Sequence, residues 1–307
     1  MAKKRTHPKP SISIVGPGNL GSALALELAR IGYPIRHIVS RSATNPHAKA
    51  LARRVKATLI TLGERPLDAD IVWLTVPDDA IAEVARRLAA SQSWRGEIVL
   101  HPSGARSSDE LSALKKKGAR VASAHPMMTF VRGRRPQWRG VPFDIEGDEV
   151  AVKAAHEIAA ALGASPYVLE KRHKTLYHAF GSFASPLVIA LMSAMEQVAE
   201  SAGVPPGEAK RMVRPLLMRT LDNYFKKDAA RAFSGPLVRG DVQTVRKHLE
   251  ELKRAPQARE VYLALAKAAI QRLPVKNKEG LTRELQRGTS RTNARVYAGR
   301  VPRHGNG

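Results

Sequence analysis

Lys174 and His178 lie one helical turn apart in Lys174-Thr175-Leu176-Tyr177-His178-Ala179-Phe180-Gly181-Ser182-Phe183-Ala184-Ser185. Helical spacing puts Lys174, Tyr177, His178, Gly181, Ser182 and Ser185 on one face. Such a face is a poor core and a good wall for a polar cleft, and the small Gly181 lets something approach it. A Lys or His there can supply the proton that hydride chemistry at a carbonyl or imine requires. The competing reading is a solvated face at a helix start. His125, in His125-Pro126-Met127-Met128, reads equally as a group that bonds substrate or nicotinamide and as a satisfied structural histidine.

Such chemistry needs a cofactor, and the N-terminal end has a place for one. Ser11 to Val15 is a short β-branched run of the kind found in buried parallel strands. Gly16-Pro17-Gly18-Asn19-Leu20-Gly21 follows with G-x-G-x-x-G spacing, and a good helix former runs from Ser22 to Ile31. Strand, glycine turn and helix form the context of a dinucleotide-binding fingerprint. Gly16 allows the tight turn, Gly18 admits a pyrophosphate, and Gly21 lets helix and strand pack closely. The helix N-terminus faces the phosphates with unpaired N–H groups. At the end of the second strand, where NAD enzymes usually place an acidic residue, stand Ser40, Arg41 and Ser42. A permanently charged fork between two hydroxyls suits a 2′-phosphate, so the expected cofactor is NADP. Val76-Pro77-Asp78 and Pro102-Ser103-Gly104 sit just past strand ends on the edge where open α/β sheets bind ligands. They are assigned to the cofactor site, with plain βα turns as the alternative.

The elements that must hold these groups alternate along the first half. Strands are expected at 35–40, 57–60, 70–76, 97–100, 120–124 and 141–146, with 167–169 as a further one. Helices lie between them, Asn45 capping one and Ser107 with Glu110 boxing another. Alternation of this kind means a parallel sheet with right-handed crossovers. From Lys171 the alternation stops, and helices are expected at 172–202, 206–227, 241–253 and 257–272. The fold class is therefore an α/β domain with a mostly parallel, doubly wound sheet over 11–170, followed by an all-α domain over 171–274. A basic extension at 1–10 precedes them. A basic tail at 275–307 is expected to be disordered.

Composition bounds the chemistry. With no cysteine, the chain has no disulfide, thiol nucleophile, iron–sulfur cluster or thiolate zinc site, and no metal site is expected. The net charge of +24 favours anionic ligands and allows non-specific nucleic-acid contact through the basic termini. The most apolar candidate helix, 183–195, is too short to span a bilayer, so no membrane partner is expected.

The first half resembles the Rossmann domain of pyrroline-5-carboxylate reductase, ketopantoate reductase and the β-hydroxyacid dehydrogenases. The second half resembles an uncharacterised helical domain of bacterial proteins assigned as NADP-dependent oxidoreductases. The resemblance is carried by His125-Pro126-Met127, Gly140 to Asp148, Lys174-x-x-Tyr177-His178-Ala179 and Gly235-Pro236-x-x-Arg239-Gly240-Asp241-x-x-Thr244-Val245-x-x-His248-Leu249. It implies NADP, a helical dimerisation domain and a catalytic lysine near the start of the interdomain helix, matched in position by Lys174, facing the cleft. His178 stands where the β-hydroxyacid dehydrogenases have asparagine. Pro186 departs from the helical family, which often has Asn there. The expectation is a cytoplasmic homodimeric NADP-dependent reductase or dehydrogenase acting on a small carbonyl, imine or hydroxy acid. Lys174, His178 and His125 are its candidate catalytic residues. The alternative is an NADP-binding sensor without turnover.

Overall fold

In the computed structural model, residues 8–130 and 135–298 are described, with side-chain detail as far as 288. The basic extension falls largely outside them, as does part of the Gly/Arg/Pro loop at 131–140. The chain divides after Ser185 into two compact units. The expected boundary near 171 is therefore too early, because the helix carrying Lys174 and His178 packs with the first unit.

Unit 1 is built on β1 (Ile12–Val15), α1 (Asn19–Arg30), β2 (Ile35–Ser40), α2 (Pro46–Arg54), β3 (Thr58–Thr61), β4 (Ile71–Leu74), α3 (Ile81–Ser91), β5 (Ile98–His101), α4 (Ser112–Lys116), β6 (Arg120–Pro126), β7 (Pro142–Gly147), α5 (Glu149–Ala161), β8 (Ser165–Val168) and α6 (Lys174–Ala184). The eight strands form one sheet in the order β3-β2-β1-β4-β5-β6-β7-β8. All neighbours are parallel except β6 and β7. The strand order reverses between β1 and β4, the switch point at which such sheets open a ligand crevice.

Helices cover both faces, so central strands are apolar throughout rather than alternating. In β4, Ile71 and Trp73 enter the core under α1, α2 and α5, while Val72 and Leu74 enter the core under α3 and α4. Capping follows the sequence in part. Asn45 Oδ1 accepts the Ala48 amide at 3.1 Å. Ser107 instead caps a 3-10 turn over Ser108–Leu111, ahead of the short α4.

The long helix expected over 172–202 is two helices. Proline cannot donate the backbone bond a continuous helix needs, and α6 stops before Pro186, which begins α7 (Pro186–Ser201). By length and composition the run Lys171–Ser201, which extends beyond the expected 183–195, is apolar enough to cross a membrane. The helix break before Pro186 interrupts that run, and Lys174 near its start is held in a buried ion pair.

Unit 2 continues with α8 (Glu208–Lys226), the single turns α9 (Ala229–Ala232) and α10 (Pro236–Arg239), α11 (Val242–Glu251), α12 (Pro256–Arg272) and α13 (Lys278–Ala298). Asp241 caps α11 as expected, accepting the Thr244 amide at 3.0 Å. The expected disorder from 275 onward is corrected. Val275, Leu281 and Leu285 are buried against Val245, Leu249, Leu263 and Ile270. Arg246 pairs with Glu284 at 2.8 Å, and the buried Arg259 guanidinium donates to Gly288 O at 2.9 Å. Basic composition concealed an i, i+4 apolar pair, Leu281 and Leu285, that this core needs. Residues 299–307 lie outside the described part.

Helices α7 and α8 behave differently. Neither buries a single residue. Leu187, Ile189, Met212, Leu216, Met218 and Phe225 are all exposed. An apolar groove of about 700 Å³ beside α7 is lined by Leu191, Met195, Val198, Phe233, Tyr262 and Leu265 among others.

Candidate functional site

The glycine turn has the geometry its spacing predicts. Gly16 has φ +94°, a conformation open to glycine. A Cβ on Gly21 would lie 2.4 Å from Gly16 O and from Thr75 Oγ1, so helix and strand meet there without room for a side chain. Thr75 reinforces the contact by donating to Gly16 O at 2.7 Å. A Cβ on Gly18 would meet nothing within 4 Å, so the cradle at the start of α1 is open where a pyrophosphate needs space. Gly18 and Asn19 are exposed and Pro17 and Leu20 half-buried. The residues present therefore fit a dinucleotide.

Past β2, Arg41 and Ser42 are exposed, and Arg41 has no ion-pair partner among the described residues. Ser40 is buried, and its Oγ faces the Ser42 amide at 3.5 Å. The loops after β4 and β5 are stitched together. Ser103 donates to Asp78 Oδ2 at 2.7 Å and accepts the Arg106 amide at 2.9 Å. Pro102 and Gly104 are buried, whereas Val76 is half-buried and Pro77 exposed. His101, fully buried below this loop, faces Ser107 O at 3.0 Å and accepts the Ser103 amide at 3.2 Å. Burial pushes its pKa down to about 4, so it is a neutral strut of the loop.

Two of the three candidate catalytic residues, His125 and Lys174, meet at one residue the sequence reading did not single out. In the antiparallel β6–β7 register His125 stands directly opposite Asp144. His125 Nδ1 is 2.7 Å from Asp144 Oδ1, and Lys174 Nζ is 2.9 Å from Asp144 Oδ2. Asp144 is 0% and Lys174 1% exposed. Burial by itself would raise the Asp144 pKa. The hydrogen bond from His125 and the Lys174 charge outweigh it and hold the carboxyl below its ordinary range. Lys174 therefore does not face an open cleft: its ammonium is spent on Asp144.

His178 lies one turn along α6, its ring edge-on to His125 with centroids 5.9 Å apart. Both rings rest on Gly104, where a Cβ would come within 2.5 Å of His178 Cδ2 and 2.8 Å of His125 Cε1. Tyr177 packs edge-on against Tyr167 at 5.4 Å, and Gly181 faces Met127. Asn19 Nδ2 contacts Phe130 O at 3.4 Å, which joins the start of α1 to the loop leaving β6. The signal for Asp144 was present in the sequence: Asp144 and Glu146 are two acidic residues inside a short strand buried on both faces. Their roles differ, because Glu146 accepts the Ser108 amide and hydroxyl at 2.7 and 2.8 Å and is structural.

A second triad-like contact does no such work. Ser13, His37 and Asp68 are linked at 3.0 and 3.1 Å, but Ser13 is fully buried in β1 and reaches no substrate. Among the described residues, no cluster of His, Asp and Glu is arranged to hold a metal ion.

Residues 2–126 match the family profile of a Rossmann-like domain, and residues 141–269 match a domain of unknown function, DUF2520. The interval between the matches separates His125 from Asp144 and Lys174, so the ion-paired cluster draws on both matched segments. No curated protein matches the chain. Among solved structures, a Bacteroides fragilis protein described as a candidate NADP oxidoreductase is 22% identical, with TM-score 0.70 over 86% of this chain and 99% of its own. A Thermotoga maritima protein is 25% identical, with TM-score 0.68 over 89% and 99%. An imine reductase from Myxococcus stipitatus in complex with NADP+ is 16% identical, with TM-score 0.60 over 84% and 91%. The chain thus carries a Rossmann-like N-terminal domain followed by a segment that matches DUF2520, in a fold it shares with structures described as NADP oxidoreductases and imine reductases.

Proposed function

We propose that this protein is an NADP-dependent reductase or dehydrogenase, transferring hydride to or from a small carbonyl, imine or hydroxy-acid substrate. The observation that carries the reading is the open glycine cradle on the same sheet edge as an ion-paired His125–Asp144–Lys174 cluster. The amides of Asn19 and Leu20 at the start of α1 hold the pyrophosphate, since Pro17 has no N–H and the Gly16 and Gly18 amides donate to Val39 O and Gly16 O, and Arg41 with Ser42 holds the 2′-phosphate. When bound, the nicotinamide supplies or accepts the hydride. The side chains around Gly104 handle the proton.

Two titrations test the cofactor half. Wild type is expected to bind NADPH more tightly than NADH. Arg41→Ala should remove about 1.5–3 kcal/mol of that preference, the worth of a charge-assisted pair. Equal affinities in the wild type would count against NADP. The glycines separate binding from folding. Gly18→Ala should melt like wild type and lose about tenfold or more in NADPH affinity, about 1.4 kcal/mol. Gly21→Ala should instead destabilise unit 1 by about 1–3 kcal/mol or more, because its Cβ has no space. If both variants melt alike, the assignment of a ligand cradle at Gly18 fails.

The exposed apolar faces of α7 and α8 support a homodimer through unit 2. Helices of this length that bury nothing gain little from isolated helix formation and need a partner surface. Obligate interfaces bury roughly 2,000 Å² or more in total. Light scattering at micromolar concentration is expected to read twice the 33.5 kDa chain mass. A monomer, or a monomer that floats with anionic vesicles, would reject the dimer.

A further inference from the structure

We infer that His125 Nε2 is the atom that carries the proton of the reaction, with Asp144 and Lys174 as its positioning residues. The substrate is then a carbonyl compound or the corresponding alcohol rather than a preformed iminium ion. The inference rests on the NADP-dependent oxidoreductase reading and assigns roles within that site.

An ionised carboxylate only accepts hydrogen bonds, so the 2.7 Å contact to Asp144 Oδ1 puts a proton on His125 Nδ1. The other carboxylate oxygen takes Lys174 Nζ at 2.9 Å. This second contact keeps Asp144 from turning or taking up the proton itself. Lys174 is thereby excluded as the donor, since its amine is buried and committed. Nε2 is left as the working atom of the ring. It has no hydrogen-bond partner among the described residues, and the His125 side chain is 17% exposed. Gly104 gives the ring its space: a Cβ there would lie 2.9 Å from Nε2. The ring stands at the C-terminal end of β6, on the edge that also carries the glycine cradle.

The charge arrangement selects the substrate. The Asp144–Lys174 pair is neutral, and protonation of His125 makes the cluster a net cation. Such a site stabilises an oxygen on which negative charge develops and repels an iminium cation. In the reductive direction the carbonyl carbon gains a hydride and is reduced by two electrons. The C=O π pair moves to oxygen, which takes the Nε2 proton. The N–H pair stays on nitrogen, and Nδ1 remains protonated against Asp144. Oxidation of the alcohol runs the same steps backwards, with Nε2 accepting the hydroxyl proton. Hydride addition to an iminium ion that arrives already protonated yields a neutral amine directly and leaves this relay without a task.

Two measurements decide it, one independent of turnover. Long-range proton–nitrogen NMR on protein labelled at its histidine rings reads each tautomer, with His125 assigned by loss of its signals in His125→Asn. In alkaline buffer the ring is expected to be protonated on Nδ1 and bare on Nε2. Asp144→Ala should release it to the Nε2–H form; if that variant does not fold, the wild-type spectrum alone decides. A wild-type ring protonated on Nε2 overturns the assignment. The second measurement is NADPH oxidation against a panel of 2-oxo acids, aldehydes, ketones and cyclic imines, with NADPH binding followed by fluorescence. Turnover is expected on carbonyl members and should fall about 10²–10⁴-fold in His125→Asn with NADPH affinity retained. Imine turnover indifferent to His125→Asn overturns the substrate class, as does bound NADPH that no panel member oxidises. Failure to bind NADPH would instead overturn the cofactor reading, a separate result from the ring tautomer.

Discussion

Asp144→Ala is expected to cost unit 1 about 3–5 kcal/mol, because it leaves the Lys174 ammonium buried with no counter-charge. That is a large share of the roughly 5–15 kcal/mol by which domains are stable. Removing both charges should cost far less. Asp144→Leu combined with Lys174→Met leaves no unpaired ion, and such replacements of buried pairs by apolar residues are often close to neutral. The single and double variants thus separate two roles of one pair. Its net contribution to stability is small, while its contribution to the position of His125 is lost in both. All three tryptophans, Trp73, Trp94 and Trp138, lie in unit 1, so tryptophan fluorescence during urea unfolding follows this unit alone. An Asp144→Ala midpoint within experimental error of wild type would mean that Lys174 reaches water and that the pair is not buried in solution.

Truncation after Leu273 is expected to unfold unit 2. The cut removes Leu281 and Leu285, 0% and 1% exposed, each worth about 1.5–3 kcal/mol of burial. It also removes Val275, the Glu284 partner of Arg246 and the Gly288 carbonyl that receives Arg259. Losing most of one wall of a small helical core exceeds what such a unit can spare. Far-ultraviolet circular dichroism should report the loss of helix while tryptophan fluorescence still reports a folded unit 1. Leu285→Ala is the milder version, expected to cost about 2–5 kcal/mol. If the truncated chain keeps its full helical signal, α13 does not complete this core.

Much of the fold was legible because it rests on local signals. The glycine spacing, the β-branched runs and the caps at Asn45 and Asp241 are each satisfied within a few residues. Pro186 likewise carried its own instruction, though the helical period around it suggested one long helix. The tail was misread for a physical reason. Its composition is dominated by exposed cations, while its structural content is two leucines one turn apart whose partners lie on α11 and α12. Periodicity on one segment says little when the complementary surface is far away in sequence.

By itself, the sequence determined that a dinucleotide-type turn opens the chain, that Arg41 stands where an acidic residue would favour NAD, and that Lys174 and His178 share a helix face. Only the tertiary structure decided what those groups can do. His125 and Asp144 meet because β7 runs antiparallel to β6, a register no local pattern encodes. Lys174 points into that pair because α6 packs with the first unit. Side-chain chemistry is local, but whether an amine is a proton donor or a buried counter-ion depends on which strand lies across from it.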